Sequence, residues 1–302
     1  MRIIYCLDPL DPRRVDPAYE REQDAARSQG FATSLISYET LVDEHDAARA
    51  VRRVESSEQP DGAIYRGWML RPEAYSRLYL ALRERGIMLI NTPDAYLYCH
   101  YLPASYEAIA NLTPRTVWIA ADDGGAVSMD AVLRAVAEFG ERPIVIKDYV
   151  KSRKHEWAEA CYIPSAADSD AVENVVGRFL ELQGDDLNEG LVFREFVPFE
   201  PLTTHSKSGM PLTREFRLFI LDGEPILTAE YWEEGDYSSD VPPIEQFDVT
   251  TRRVWSRFFT MDVAKRVEGA WMIVELGDGQ VAGLPDRADV NAFYRALARR
   301  LA

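Results

Sequence analysis

The feature that most constrains this chain is a rhythm in its first ninety residues. Short apolar runs at 2–7, 31–36, 63–65 and 87–90 alternate with longer stretches that carry helix signals. Asp16-Pro17 offers an N-cap residue followed by a proline suited to the first helical turn, and Gly30 is placed to end that helix. A second stretch, 72–85, carries Leu78, Leu80 and Leu82 and is stopped by Gly86. Strands separated in this way pair through crossovers rather than hairpins, so the rhythm predicts a small, doubly wound, parallel α/β domain.

After Asn91-Thr92-Pro93 the pattern changes. A helix over 94–110, interrupted near Pro103, leads to a strand at 116–119, a turn at Asp122-Asp123-Gly124-Gly125 and a helix near 129–139. An apolar strand at 143–147 ends in Lys147. The helix over 168–182 has the clearest periodicity in the chain, with Val172, Val175, Val176, Phe179 and Leu180 on one face and Gly184 beyond its end. From Leu191 onward strands dominate, at 191–197, 216–221, 225–231 and 272–276, with a hairpin turn at Leu221-Asp222-Gly223-Glu224 and a closing helix at 289–301. Residues 230–240 read as an acidic, aromatic surface loop. The expected class is α/β and α+β, divided into 1–92, 93–190 and 191–302.

Composition narrows the function. A length of 302 residues allows two or three domains, and 47% apolar with 28% charged residues excludes disorder, collagen and coiled coil. The sequence has no long apolar run and no signal-peptide pattern at its start, which leads to the expectation of a soluble, cytoplasmic protein with no membrane partner. Cys6, Cys99 and Cys161 are odd in number and widely spaced, so reduced thiols are expected rather than disulfides or zinc. With 34 basic and 50 acidic residues the net charge is −16, which argues against a nucleic-acid polymer unless the basic residues are segregated. They are. Within 143–155, Lys147, Lys151, Arg153 and Lys154 face a single acid, Asp148. Such a window is either a solvated basic loop or a site that presents ammonium groups to polyphosphate oxygens.

Three acids near the end, Asp262, Glu275 and Asp278, supply oxygen ligands of the kind magnesium takes; the plainer alternative is an Asp-Gly turn on an acidic surface. Glu215-Phe216-Arg217-Leu218 alternates, so Glu215 and Arg217 share one strand face, where a held guanidinium is either structural or set to stabilise a transferring phosphoryl group. Arg66 follows a parallel strand, where open α/β sheets gather ligands, and is read as a substrate-carboxylate ligand or as an arginine packed on Trp68. His205, among Thr203-Thr204-His205-Ser206-Lys207-Ser208-Gly209, is a loop histidine that either covers a site or does nothing specific. No convincing Ser/His/Asp or Cys/His arrangement is present.

In this order the features resemble the ATP-grasp superfamily, over nearly the whole chain and within a small clade of it. The resemblance implies a Rossmann-like N-terminal domain followed by two α+β subdomains that enclose ATP. It implies that Lys147 contacts nucleotide phosphates, with Lys151 and Lys154 beside it. The backbone of Glu195, Phe196 and Val197 would read adenine, and Asp262 and Glu275 would hold Mg2+ from adjacent strands. Glu215-Phe216-Arg217 is similar to the acidic-x-arginine strand of ribosomal-protein glutamate ligases; in the implied reaction Arg217 would orient the reacting carboxylate or phosphoryl oxygens, and Lys154 would help Lys147 neutralise the phosphates, the two being the catalytic candidates. The chain departs from the family in three places. His100 stands where an earlier lysine is usual, Lys151, Arg153 and Lys154 replace a glycine-rich loop, and Asp278 stands near the position of an asparagine. The implied activity is an ATP- and magnesium-dependent carboxylate-amine ligase that works through an acyl phosphate on small-molecule or peptide substrates. A small-molecule kinase and a non-catalytic nucleotide-binding module are the alternatives. Oligomeric state is left open, a homodimer being one option.

Overall fold

A computed structural model of the chain describes residues 1–122, 124–206, 211–237 and 241–301. Strands β1 (Arg2–Cys6), β2 (Ala32–Ile36), β3 (Asp61–Arg66) and β4 (Ile87–Leu89) form a parallel sheet in the order β2-β1-β3-β4. Its crossovers are α1 (Glu20–Ser28), the short α2 (Tyr38–Val42) and α3 (Ala47–Ala50), and α4 (Pro72–Glu84). Asp16 accepts the Ala18 N–H at 2.9 Å and starts the turn into α1, and Gly30 takes the left-handed conformation after it, φ +83°. Successive side chains of β1 point to opposite faces. Ile4 and Cys6 therefore enter one core with α4, while Ile3 and Tyr5 enter another.

The helix expected over 94–110 with an interruption near Pro103 is two, α5 (Pro93–His100) and α6 (Leu102–Ile109), separated by an extended Tyr101. Pro103 falls in the first turn of α6, where its missing N–H breaks no helical bond. There follow β5 (Thr116–Ala120), α7 (Met129–Val136), β6 (Ile144–Asp148), α8 (Trp157–Ala160), β7 (Tyr162–Ile163), α9 (Ser169–Gln183) and β8 (Gly190–Glu195). The strands make an antiparallel sheet, β5-β8-β6-β7. Val132, Val136, Val176 and Phe179 of α7 and α9 cover Ile146 and Phe193 on one face. The opposite face is left to Lys147, Val192 and Arg194. In the turn after β5, the Asp122 carboxylate accepts from Gly124 and Ala126; Asp123 lies outside the described residues.

A hairpin of β9 (Pro201–Thr204) and β10 (Pro211–Thr213) precedes the last sheet. That sheet contains β11 (Glu215–Leu221), β12 (Glu224–Glu230), β13 (Phe258–Lys265) and β14 (Trp271–Asp278) in the antiparallel order β12-β11-β13-β14, with α10 (Asp248–Thr251) between β12 and β13. Asp222 and Gly223 have φ of 51° and 80°, as a tight β11–β12 hairpin requires. β13 is absent from the strands expected from the sequence. It is a central strand, buried on both faces, in which Phe259-Thr260-Met261-Asp262-Val263 alternates apolar and polar residues, the polar ones toward the cleft. Residues 231–237 continue from β12 as the expected acidic loop, whose residues 238–240 lie outside the described set. The closing helix α11 (Val290–Leu301) returns to the first domain: Phe293, Tyr294 and Leu297 share a core with Ile3, Tyr5, Phe219 and Leu221. Among the described residues, no helix is long and apolar enough to cross a membrane.

Candidate active site

Antiparallel register lines up three functional side chains across the last sheet. Arg217 on β11 stands opposite Asp262 on β13, and Asp262 stands opposite Glu275 on β14. Arg217 grips Asp262 at two points, Nε to Oδ1 at 2.8 Å and Nη2 to Oδ2 at 2.7 Å. Its Nη1 donates to the Gly283 carbonyl at 3.0 Å, and its guanidinium lies 4.9 Å from the centre of the Tyr231 ring. Glu215, two residues before Arg217, is on the same face and buried. From the facing sheet, β6 delivers Lys147, whose Nζ donates to Glu275 Oε2 at 3.0 Å.

The four cations of the basic window have four different placements. Lys147 is buried against Glu275, and Lys151 is exposed. Arg153 donates to Gln183 Oε1 at 3.0 Å and to the Leu182 carbonyl, at the end of α9 where helix carbonyls lack partners. Much of the Lys154 side chain is exposed, but its charge is felt by Glu215, Glu275 and Asp262. The turn that disperses them is tied by Asp148, the one acid of the window. It is fully buried and accepts from the Val150 and Lys151 N–H groups, from Gln183 Nε2 at 3.0 Å and from Asn188 Nδ2 at 2.7 Å.

Three carboxyl groups thus meet three cations: Glu215, Asp262 and Glu275 with Lys147, Lys154 and Arg217. Burial pushes the Glu215 carboxyl up to about 8; Lys154 opposes this, while Asp262 and Glu275 add to it. Burial also raises Asp262, against the pull of Arg217. For Glu275, desolvation acts upward, but Lys147 and Lys154 outweigh it and bring the group down to about 2. Desolvation lowers the Lys154 ammonium, and Glu215, Glu275 and Asp262 more than reverse that, leaving it above the ordinary lysine value. Four of these groups, Lys147, Arg217, Asp262 and Glu275, line a cleft of about 150 Å³ together with Tyr149 and Thr260.

Other residues singled out by the sequence are placed differently. His100 lines the cleft, stacked on Tyr96 with ring centres 5.0 Å apart. Burial, then Lys147 and Lys151, push its pKa down to about 4, so it is neutral at pH 7 and does not replace the missing lysine as a cation. Asp278 borders the cleft, and its carboxylate is held at both oxygens: Oδ2 accepts from Asn91 Nδ2 at 2.6 Å and Oδ1 from the Gln280 N–H at 2.9 Å. Burial raises it to about 6 despite these donors. The substrate role expected of Arg66 is corrected. Its side chain is buried, with Nε and Nη2 each 2.9 Å from the Glu22 carboxylate and Nη1 donating to the carbonyls of Gly279 (2.6 Å) and Ala282 (2.8 Å). Four of its five N–H groups are so committed, and Arg66 does not line the cleft.

Glu195, Phe196 and Val197 do not line the cleft. The Glu195 N–H donates to Arg115 and the Phe196 N–H to Pro143, both within the middle domain, and the Phe196 ring lies edge-on to Tyr162. His205 is on the β9–β10 hairpin, 3.8 Å from Glu234 and away from the cleft; Lys207, Ser208 and Gly209 of the same loop lie outside the described residues. Sequence reasoning missed Asn91, Gln280, Glu22 and Tyr231, whose partners are distant in the chain. Thr260, two residues before Asp262 on the same strand face, was within reach of the alternation rule once β13 is known.

A parallel α/β domain, then two α+β halves that meet over a lysine and a pair of strand-borne carboxylates, is the ATP-grasp architecture. The profile of the ATP-grasp domain, R2K clade family 3, matches residues 138–297, a little over half of the chain, and the chain belongs to that family. Solved structures agree in fold. The RimK domain protein ATP-grasp from Sphaerobacter thermophilus is 15% identical over 98% of each chain, with a TM-score of 0.59. The ATP-grasp ligase PsnB, complexed with a phosphomimetic variant of its minimal precursor, Mg and ADP, is 14% identical over 100% of this chain and 99% of that one, at 0.58. D-cycloserine synthetase DcsG is 14% identical over all of both chains, at 0.57. No curated protein matches the chain in sequence.

Proposed function

We propose that this protein is an ATP- and magnesium-dependent ligase that joins a carboxylate to an amine on a small-molecule or peptide substrate. The observation that carries this reading is the contact of Lys147 with Glu275 across the cleft, in line with the Arg217–Asp262 pair. Ligases with small-molecule and peptide substrates among the fold's solved members support it.

The donor chemistry fits magnesium. The ion prefers oxygen and is usually held by one or two carboxylates together with phosphates. Asp262 and Glu275 are adjacent carboxylates on neighbouring strands. Among the described residues no cluster of three or more His, Cys, Asp or Glu is preassembled for a metal, so the remaining ligands would come from nucleotide and water. Asp262 is held by Arg217, and Asp278 by Asn91 and Gln280; each carboxylate keeps lone pairs beyond those bonds, so Asp278 stays in the candidate set with Asp262 and Glu275.

ATP supplies a phosphoryl group: a substrate carboxylate oxygen attacks the γ-phosphorus as the bond to ADP breaks, and an amine then displaces inorganic phosphate from the acyl carbon. Both steps concentrate negative charge in the cleft. Lys147 and Lys154 neutralise phosphate oxygens, and Arg217, fixed by Asp262 and Gly283, orients the reacting carboxylate. Phosphate release from ATP that depends on both an acid and an amine, with a condensed product in the mass spectrum, is the expected result. A stable phosphorylated product without condensation would instead make the protein a kinase.

A further inference from the structure

Asp278 lines the cleft at the end of β14, and a closed circuit of hydrogen bonds joins its carboxylate to the first domain. Asn91, which follows β4, donates from Nδ2 to Asp278 Oδ2 at 2.6 Å. Its own backbone carbonyl accepts from the hydroxyl of Tyr75, on α4, at 2.8 Å. That hydroxyl accepts from Gln280 Nε2 at 2.7 Å, and the same nitrogen donates to Asp278 Oδ1 at 3.2 Å, which closes the circuit. Asn91, Tyr75, Gln280 and Asp278 are all buried.

Backbone groups that have only one hydrogen-bonding role fix the direction of these bonds. The Phe258 N–H donates to Asn91 Oδ1 at 3.1 Å and the Phe258 carbonyl accepts from Nδ2 at 2.6 Å, so the remaining N–H of Asn91 is the one that reaches Asp278. The Tyr65 N–H donates to Gln280 Oε1 at 3.2 Å, which leaves Gln280 Nε2 for Tyr75 and Asp278. With the Gln280 backbone N–H at 2.9 Å, three neutral donors converge on Asp278. Two of these bonds fall on Oδ1 and one on Oδ2, so Oδ2 keeps a lone pair. A link that only joined the two segments would be served by a neutral side chain at this position, without the cost of burying a charge.

Resting on the ligase reading, we infer that Asn91 is a positioning residue, which with Gln280 and Tyr75 holds Asp278 in place as a carboxylate ligand of the nucleotide's magnesium. The test titrates Mn2+, a paramagnetic substitute for Mg2+, into the protein at saturating imido-ATP and reads the bound metal by electron paramagnetic resonance. Asn91→Ala should raise the Mn2+ Kd by roughly tenfold to a hundredfold, the usual loss when a metal ligand's hydrogen-bond partner is removed. In an Asp278→Ala background, itself weakened, the same change should add nothing, because the carboxylate to be positioned is gone. A role confined to holding the domains together would lower the melting temperature and change Kd by the same factor in both backgrounds. Tyr75→Phe removes only the circuit's hydroxyl and keeps the ring stacked on Tyr96, 4.0 Å away; it repeats the test if Asn91→Ala does not fold, and should raise Kd only where Asp278 is present.

An unchanged Kd in Asn91→Ala, or the same loss with and without the Asp278 carboxylate, overturns the inference and leaves the metal site standing. Full Mn2+ affinity in Asp278→Ala does the same. Absence of any protein-bound Mn2+ in the wild type removes the ligase reading itself, and this inference with it.

Discussion

At Lys147 and Glu275 two sheets are joined by one buried ammonium and one carboxylate 3.0 Å apart. Each group is the other's counterion, and under the proposed function each would also be the counterion of a different part of MgATP. Nucleotide binding is therefore an exchange of partners rather than the filling of an uncompensated site. A few residues away, His100 and Asp278 make opposite contributions to the pH dependence of stability. The folded pKa of His100, about 4, lies below its ordinary 6.5. Between those values the unfolded chain holds a proton that the folded chain lacks, so stability is lost as pH falls; the loss is roughly 2 kcal/mol from pH 7 to pH 5. Asp278 is raised from 3.8 to about 6, so its contribution is present at low pH and lost as pH rises through 6. Removing the imidazole in His100→Phe should leave the Asp278 effect alone. The variant should gain stability at pH 5 relative to pH 7 compared with wild type, by urea unfolding at both values. Identical pH slopes in the two proteins would contradict the assignment.

Strand β11 shows how one element serves fold and site together. Glu215, Arg217, Phe219 and Leu221 share a face, charged at the cleft and apolar where Phe219 and Leu221 meet Phe293 of α11. Phe219→Ala should cost about 3 to 5 kcal/mol by cavity formation yet keep the rise in melting temperature with MgATP. Arg217→Ala, which strands a buried Asp262 carboxylate, should cost a similar amount and lose most of that rise. Equal ligand responses in the two variants would contradict this division of the strand. β11 was legible because its residues alternate; so was the parallel sheet, whose strands are bounded by prolines, glycines and capping acids. β13 carries the same kind of signal in Phe259-Thr260-Met261-Asp262-Val263, but its strand was reached only through the family resemblance, which put Asp262 beside Glu275. Lys147 stood out as a charge ending an apolar run, whereas the capture of Arg66 by Glu22 and of Asp278 by Asn91 depends on contacts between distant segments. A sequence names such residues without showing which partner has already taken them.

On the scale of the molecule, the first domain is tied to the last sheet twice, through the Asn91–Asp278–Gln280–Tyr75 bonds and through α11 packed beside α1. Met69, in the loop after β3, lines the cleft. The net charge of −16 is arranged around an interior where acids and bases balance. Magnesium or nucleotide arriving alone would leave one half of that balance unpaired, whereas both together satisfy all of it. Melting temperature measured with Mg2+ alone, ATP alone and the two combined tests this most directly. At a hundredfold excess over Kd, the combination should stabilise by about 2.7 kcal/mol, a rise of roughly 4 °C that exceeds the sum of the separate effects. No rise with the two combined would contradict the account.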